Sequence, residues 1–448
     1  MKFLPKIVKN KFPMRLGIVG LSHLGIVWSA AFARLGIKVY GFDTDKNIID
    51  SLCKGKVTIS EPGIQEIYDK FRSNLSFSTN SRSLTVCDIV IFAKDMPYDE
   101  EGVIDPTEIN KLLGKVFPVL KQNAEFVFMC QVPAGFTRNL KRKIDKKFPA
   151  CRINLVYCLQ TITIGTSLEW FDNPDKVVFG LQDSKILPGN KLIDLYSHFN
   201  CPLEFVSYES AEMTKAAISL SLACSVTFVN AISDLCEKIG ADINEVVKVM
   251  KMDKRFSPLG YWRPGLGFAG GHLERDLNTL MKLSVQNNLK GEFVKSIMTQ
   301  SKQRFNWLTN ILDENILAIN KKTTICIWGL AYKKGTDSTH NAHCLRVIRN
   351  YKKKYKITVY DPLARLPLKY SNVQQYDNKL DALRNAECVV ILTEWDEFAI
   401  NNPEIFSSMK KKIIIDCVNI IGKDVRNNKN LKYFGMGSPL SLIKKNQP

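Results

Sequence analysis

The stretch "RLGIVGLSHLGIVWSAAFARLGIKVYGFDTD" (residues 15–45) decides the fold. An apolar run leads to Gly20, an amphipathic segment follows Gly25, and a second apolar run, "KVYGFD", ends in Asp43. This is the pattern of a strand, a helix and a parallel strand, with an acidic residue about 20 residues beyond the glycine turn, where ribose hydroxyls are held. Gly20, Ser22 and Gly25 occupy the three fixed places of G-x-G-x-x-G. The middle glycine, which normally lets backbone approach a pyrophosphate, is Ser22, so a side chain stands where the ligand would come closest. Gly20, Ser22, His23, Leu24, Gly25 and Asp43 are the expected cofactor-binding residues. A carboxylate at Asp43 accepts from ribose hydroxyls and repels a 2′-phosphate, so the expected cofactor is NAD.

Further strand-like runs follow at 87–93, 125–132 and 175–181, separated by helical stretches, as in a doubly wound parallel sheet. From Glu209 to Gly240 the chain reads as one helix, roughly 45 Å long at about 1.5 Å per residue. Residues 216–233 of it carry no charge. Repeated Ser, Thr and Asn and the lack of saturation by Leu, Ile and Val argue for a buried connecting or dimer-forming helix rather than a membrane span. A second α/β unit begins near 321, with strands expected in "KKTTICIWG", "YKITVYDP", "AECVVILTEWDEF" and "KKIIIDCVNI".

With 448 residues, two or three domains are expected, and 45% apolar residues suffice to bury their cores. The formal net charge is +19, but the lysines are scattered and no basic stripe with interleaved aromatics emerges, which excludes a nucleic-acid reading. The opening "MKFLPKIVKNKFP" lacks the apolar core of a secretory signal and reads as a basic tail. Twelve cysteines contain no C-x-x-C pair, so reduced thiols in the cytoplasm are expected. "HNAHC" (340–344) tempts a metal reading, but no second ligand cluster completes it, and no metal is expected.

Residues 267–276 read "GFAGGHLERD": glycines around an aromatic, then His272, with Asp276 four residues on. In order along the chain stand the degraded fingerprint, "EPG" (61–63), "NPDKVVFG" (173–180), "AEMTK" (211–215), "CEKIGADINEV" (236–246), this loop, "GLAYKKGTD" (329–337), "YDP" (360–362), "TEWDEF" (393–398) and "IIDCVN" (414–419). Together they make nearly the whole chain resemble the UDP-glucose/GDP-mannose dehydrogenase family. The resemblance implies an α/β fold of two Rossmann-like doubly wound domains, joined by a long central helix with a small helical middle domain. It implies a basic tail over 1–13, an NAD-binding domain over 14–207, a central dimerising domain with the glycine loop over 208–318, and a nucleotide-sugar-binding domain over 319–448. It also implies a homodimer. Arg255 matches a family arginine that reaches a neighbouring subunit's nucleotide sugar. Arg255, Gly267, Gly270, Gly271 and Lys333 are the substrate-binding residues expected from it.

The sequence departs from the family where chemistry is done. The family loop reads like G-F-G-G-S-C-F-P-K-D, its cysteine capturing the sugar aldehyde so that a second hydride can leave. Here that place is His272, and imidazole does not replace a soft thiolate in thioester chemistry. The family's N-P-E-F-L-R-E-G aligns with "CLQTITIG" (158–165), where Gln160 and Ile164 replace glutamates. Lys215 is kept, but the asparagine four residues on is Ser219; V-G-T-P is "KDMP" (94–97), S-T-V-P is "CQVP" (130–133) and R-E-S is "HNA" (340–342). The expected catalytic set is therefore His272, Asp276 and Lys215, with a carboxylate one helical turn away orienting the imidazole as a base for a two-electron or redox-neutral step. Two further readings stand beside it. One is a catalytically silent homologue that binds nucleotide sugar or pairs with an active paralogue. The other is the family's usual uronate-forming reaction through an unaligned cysteine, for which Cys158 is the candidate.

Overall fold

The computed structural model describes residues 14–94, 105, 107–149, 151–159, 164–256, 260–317 and 323–438. The basic tail over 1–13, Gln160 and residues 95–97 of "KDMP" lie outside the described residues.

The chain forms two compact units divided between Ile218 and Ser219. In the first, β1 (Arg15–Val19), β2 (Lys38–Phe42), β3 (Leu75–Ser78), β4 (Ile89–Phe92), β5 (Glu125–Phe128), β6 (Asn154–Cys158), β7 (Val177–Leu181) and β8 (Leu203–Ser207) build one sheet in the order β3-β2-β1-β4-β5-β6-β7-β8. Its strands are parallel except where β6 meets β7 in antiparallel register, a departure from the fully parallel expectation. β4 and β5 are buried at every residue because both faces are covered, which is why they read as unbroken apolar runs. Helix α1 (His23–Arg34) is buried from Leu24 to Ala33. It stops where Gly36, at φ +86°, donates its N–H to the Ala33 carbonyl.

In the second unit, β9 (Thr324–Trp328), β10 (Lys356–Tyr360), β11 (Val373–Gln375), β12 (Cys388–Ile391), β13 (Ile413–Asp416) and β14 (Lys432–Gly435) form an all-parallel sheet in the order β11-β10-β9-β12-β13-β14. The short strands β3, β11 and β14 carry too few apolar residues to announce themselves in the sequence.

The two sheets share one device. Gly20 follows β1 and donates to the Phe42 carbonyl, while Gly329 follows β9 and donates to the Tyr360 carbonyl, each at 2.9 Å. The next residue, Leu21 or Leu330, donates its N–H to the aspartate that ends the neighbouring strand, Asp43 at 2.8 Å or Asp361 at 2.7 Å. Both glycines are left-handed, at φ +88° and +102°. A Cβ on Gly20 would lie 2.5 Å from Lys94 Cβ, and one on Gly329 would lie 2.4 Å from Thr393 Oγ1. The register agrees: Val19 pairs with Phe92 two residues before Lys94, and Trp328 with Ile391 two residues before Thr393. The units are topological twins at their central crossover.

The long helix runs from Tyr208 to Ile239 and is closed by Gly240 at φ +83°. By length and composition it is apolar enough to cross a membrane. Its second half is tied instead to a buried polar knot. Glu237 accepts from Arg304 Nη2 at 3.1 Å, Trp307 Nε1 at 2.9 Å and the Gly437 N–H at 2.7 Å, and Arg304 also pairs with Asp234. Such a knot stabilises only while every member is present. Glu237→Ala leaves a buried guanidinium, an indole N–H and a backbone N–H short of an acceptor. It is expected to lower unfolding stability by about 3–5 kcal/mol in a urea titration; a loss under 1 kcal/mol by the same titration would show the knot to be incidental.

Candidate active site

In the first unit the expected cofactor residues gather at the C-terminal ends of β1 and β2, beside the β1–β4 crossover where a doubly wound sheet opens its binding crevice. A Cβ on Gly25 would come within 1.9 Å of the Gly20 carbonyl oxygen, so only glycine lets α1 sit this close to the turn. Helix α1 starts at His23, so its N-terminal N–H groups lie beside the turn, an arrangement suited to a pyrophosphate. Ser22 does not undo this fit, since its hydroxyl donates to the Ala93 carbonyl at 3.2 Å, back toward the end of β4. The Asp43 carboxylate is fully buried, accepting from Leu21 N–H, from Asp45 N–H at 3.0 Å and from Lys94 Nζ at 3.3 Å.

His23 belongs to a cluster that sequence reasoning missed. Its Nε2 lies 3.0 Å from Glu61 Oε2 and 3.2 Å from Ser167 Oγ. Glu61 in turn accepts from the Gly165 and Ser167 N–H groups at 2.8 and 2.7 Å. Burial pushes the Glu61 carboxyl up, but the bonds from His23, Gly165 and Ser167 outweigh it and hold the group below its usual value of 4.5. With the folded value depressed, this contact stabilises above about pH 4.5 and is lost on further acidification. The one sequence signal was "EPG", which marks the glutamate without showing what it holds.

Lys215 lies in the first unit, on the long helix. Cys158, at the end of β6, is buried in the core with 1% exposure.

The second unit holds the glycine loop and the helix that follows it, His272–Gln286. Four contacts among the described residues clamp the loop. Gly265 N–H donates to Asn230 Oδ1 at 2.9 Å and Phe268 N–H to Ser301 Oγ at 2.8 Å. The Asn341 amide donates to the Gly270 carbonyl at 2.9 Å and to Glu274 at 3.1 Å. Gly267 and Gly270 take φ of +97° and +71°. A Cβ on Gly270 would meet the Tyr332 ring at 2.9 Å, so the loop lies directly against the turn carrying Lys333. Lys333 Nζ lies 5.8 Å from the centre of the same ring.

His272 is the first residue of its helix and is exposed, while Asp276, one turn on, is buried. The Asp276 carboxylate accepts from Ser219 Oγ at 2.5 Å and from Arg275 Nε at 3.2 Å. Ser219, which looked like a lost asparagine, thus has a definite task as a donor to a buried carboxylate. Arg255 stands apart on an exposed turn with its guanidinium paired to Asp253, Nη2 to Oδ2 at 2.6 Å. A cavity of about 260 Å³ opens beside the loop between Leu266, Phe268, Ser301, Asn341, Arg346 and Arg349. Asn230, Ser301 and Asn341 lie outside the loop's own sequence, so nothing in "GFAGGHLERD" announces them.

A glycine turn under the first crossover and a buried acidic residue at the next strand end define a dinucleotide-binding α/β protein, here with a second, similar sheet. Family models agree along the chain. The NAD binding domain of the UDP-glucose/GDP-mannose dehydrogenase family matches residues 14–200, its central domain 209–302 and its UDP binding domain 326–423. The chain belongs to that family, and NAD is the cofactor of its first unit. It is 24% identical to a putative UDP-glucose 6-dehydrogenase, YtcA, of Bacillus subtilis, over 95% of this chain and 100% of that one. It is 25% identical to the UDP-glucose 6-dehydrogenase of Rhizobium meliloti with the same coverage. Among solved structures, a UDP-glucose dehydrogenase from Pyrobaculum islandicum superposes with a TM-score of 0.86 at 23% identity, covering 98% of this chain and 100% of that one. A UDP-D-ManNAc dehydrogenase from Pyrococcus horikoshii superposes at 0.83 with 22% identity, covering 95% and 99%.

The clamp yields a test. A Cβ on Gly267 would fall 2.2 Å from the Ser301 carbonyl oxygen, in a backbone conformation that side chains disfavour. Gly267→Ala is expected to cost about 1–3 kcal/mol of stability in a denaturant melt and to raise hydrogen exchange at Phe268. Unchanged exchange at Phe268 would show that the clamp does not order the loop.

Proposed function

We propose that this chain is a nucleotide-sugar oxidoreductase in which the family's four-electron oxidation is reduced to a two-electron or redox-neutral step. The observation that carries the reading is the place of His272: exposed, at the start of a helix, at the end of a clamped glycine loop, with Asp276 buried one turn on. When bound, NAD supplies the hydride acceptor, held by the Gly20–Gly25 turn and the residues around Asp43. His272 takes the hydroxyl proton of the sugar carbon that is oxidised, leaving a carbonyl. Return of the hydride to the opposite face would give the epimer with no net oxidation. Asp276 is the proposed partner of His272 in handling the proton, and Lys215, on the long helix, is a further candidate for the same task. The Gly267, Gly270 and Gly271 backbone and Lys333 would hold the diphosphate, and Arg255, which stands apart from them, would bring its planar set of donors to the nucleotide sugar of a neighbouring subunit.

The burial of Cys158 in the first unit's core counts against the uronate-forming alternative, because a nucleophile must reach its substrate. The silent-homologue alternative draws its support from Ser22 at the place of the middle glycine and from the changed turn "KDMP" (94–97) on the nicotinamide side. A homodimer fits the exposed apolar positions Phe228, Leu235 and Ile239 on the long helix. Cytoplasmic placement fits the twelve cysteines, all free thiols.

Two measurements decide. Incubation with NAD and a set of UDP-, GDP- and dTDP-sugars is expected to yield at most one NADH per sugar and no uronic acid; two NADH per sugar with uronic acid would overturn the reading. His272→Ala is expected to slow turnover by about 10²-fold or more while ligand-induced thermal stabilisation persists. An unchanged rate would make His272 a filler of the cysteine's space, and a screen in which no nucleotide sugar stabilises the protein would count against oxidoreductase and silent binder alike.

A further inference from the structure

We propose that the cavity beside the glycine loop is a binding site for a phosphate dianion, gripped by Arg346 and Arg349, and that its occupation tightens the loop. Such a site works whatever reaction His272 serves. The cavity holds about 260 Å³ and lies within the second unit. None of Gly267, Gly270, Gly271, His272 and Lys333 lines it, so it is separate from the places given to the sugar diphosphate and the reacting carbon.

Charge names the ligand. Arg346, Arg349 and Lys302 line the cavity against one carboxylate, Glu274. That carboxylate is already engaged, with Lys302 Nζ 3.7 Å away and the Asn341 amide donating to it at 3.1 Å. Among the described residues neither arginine forms an ion pair. The two stand three residues apart on the helix His343–Tyr351, so they share a face and repel each other. Burial and the Arg349 charge hold the Arg346 guanidinium below its usual value, with Glu274 acting the other way. Three cations against one carboxylate leave an excess that a dianion balances. A phosphate monoester carries about −1.5 to −2 at pH 7.

The donors are held ready. The Arg346 guanidinium lies over the Phe305 ring, 3.9 Å from its centre, and Nη2 donates to the Lys302 carbonyl at 3.5 Å. A planar guanidinium stacked on a ring loses little freedom on binding and offers paired donors to phosphate oxygens. Leu266, Phe268 and Met298 supply an apolar part of the wall. The space is smaller than the roughly 300–1,000 Å³ of pockets that enclose drug-sized ligands, which selects inorganic phosphate or a small monoester over a nucleotide. Ser301 and Asn341, which hold the Phe268 N–H and the Gly270 carbonyl, line the same cavity. A dianion that draws in Arg346 and Lys302, the residue after Ser301, therefore closes the wall around the clamp of the loop.

The test is a titration of the full chain with inorganic phosphate, without nucleotides and with ionic strength matched by chloride. It is read by melting temperature and by hydrogen exchange at Phe268. Phosphate is expected to raise the melting temperature saturably, with half the effect at about 10 mM or below, and to slow exchange at Phe268. Glycerol 3-phosphate, run in parallel, separates the sources. Tighter binding than phosphate assigns the site to a monoester whose carbons meet the apolar wall; equal or weaker binding assigns it to the free ion. Arg346→Gln, and Arg349→Gln at an exposed position that the fold tolerates, are each expected to weaken phosphate about tenfold or more. Lys333→Ala is expected to leave the phosphate effect unchanged. No effect of phosphate beyond that of chloride, or an undiminished effect in Arg349→Gln, would overturn the proposal. So would loss of the effect in Lys333→Ala, which would place the phosphate in the sugar-diphosphate site, or binding that leaves exchange at Phe268 unaltered. Because the titration uses neither NAD nor a nucleotide sugar, its failure leaves the oxidoreductase reading standing, and failure of that reading leaves this site standing.

Discussion

The bond on which both halves of this protein depend runs from a backbone N–H just past the first strand to a buried aspartate at the end of the next. Leu21 makes it to Asp43 and Leu330 makes it to Asp361. A strand that ends under a covering layer leaves polar backbone groups without partners, and an unpaired buried N–H is costly. The aspartate resolves this by collecting several such groups at once, and the left-handed glycine before the leucine turns the chain so that they point inward. Once that corner is fixed, the neighbouring strand end is fixed with it. That is the crevice in which a doubly wound sheet binds its ligands.

The same corner serves two ends. In the second unit, backbone and an indole N–H close it, so Asp361 works on the fold alone. In the first unit, among the described residues, the Leu21 and Asp45 N–H groups reach Asp43, and a lysine from the end of β4 supplies a counter-charge.

The glycine loop follows a different rule. Its residues supply left-handed backbone and room, while Asn230, Ser301 and Asn341 supply the hydrogen bonds that hold it. A loop clamped in this way delivers the first residue of the following helix to a fixed place whatever that residue is. The identity of that residue, His272, can therefore change without disturbing the frame, since Ser219 and Asp276 are joined behind it.

The sequence by itself determined the elements whose pattern is local and strong. The unit from Arg15 to Asp43, the helix from Tyr208 to Ile239 and the strands β4, β9, β10, β12 and β13 all show as apolar runs or as glycine and aspartate at fixed spacing. Their reach is short because backbone periodicity and turn stereochemistry act between near neighbours. The tertiary structure alone decided what those residues face. It turned β7 against β6, placed Lys94 on an aspartate 51 residues away and Ser219 on one 57 residues away, and gathered Glu61 and Ser167 around His23. Short strands such as β3 and β11 also became visible only there, since their stability comes from the ladder beside them. Partners so distant in sequence are chosen by how whole layers pack, and no local pattern encodes that choice.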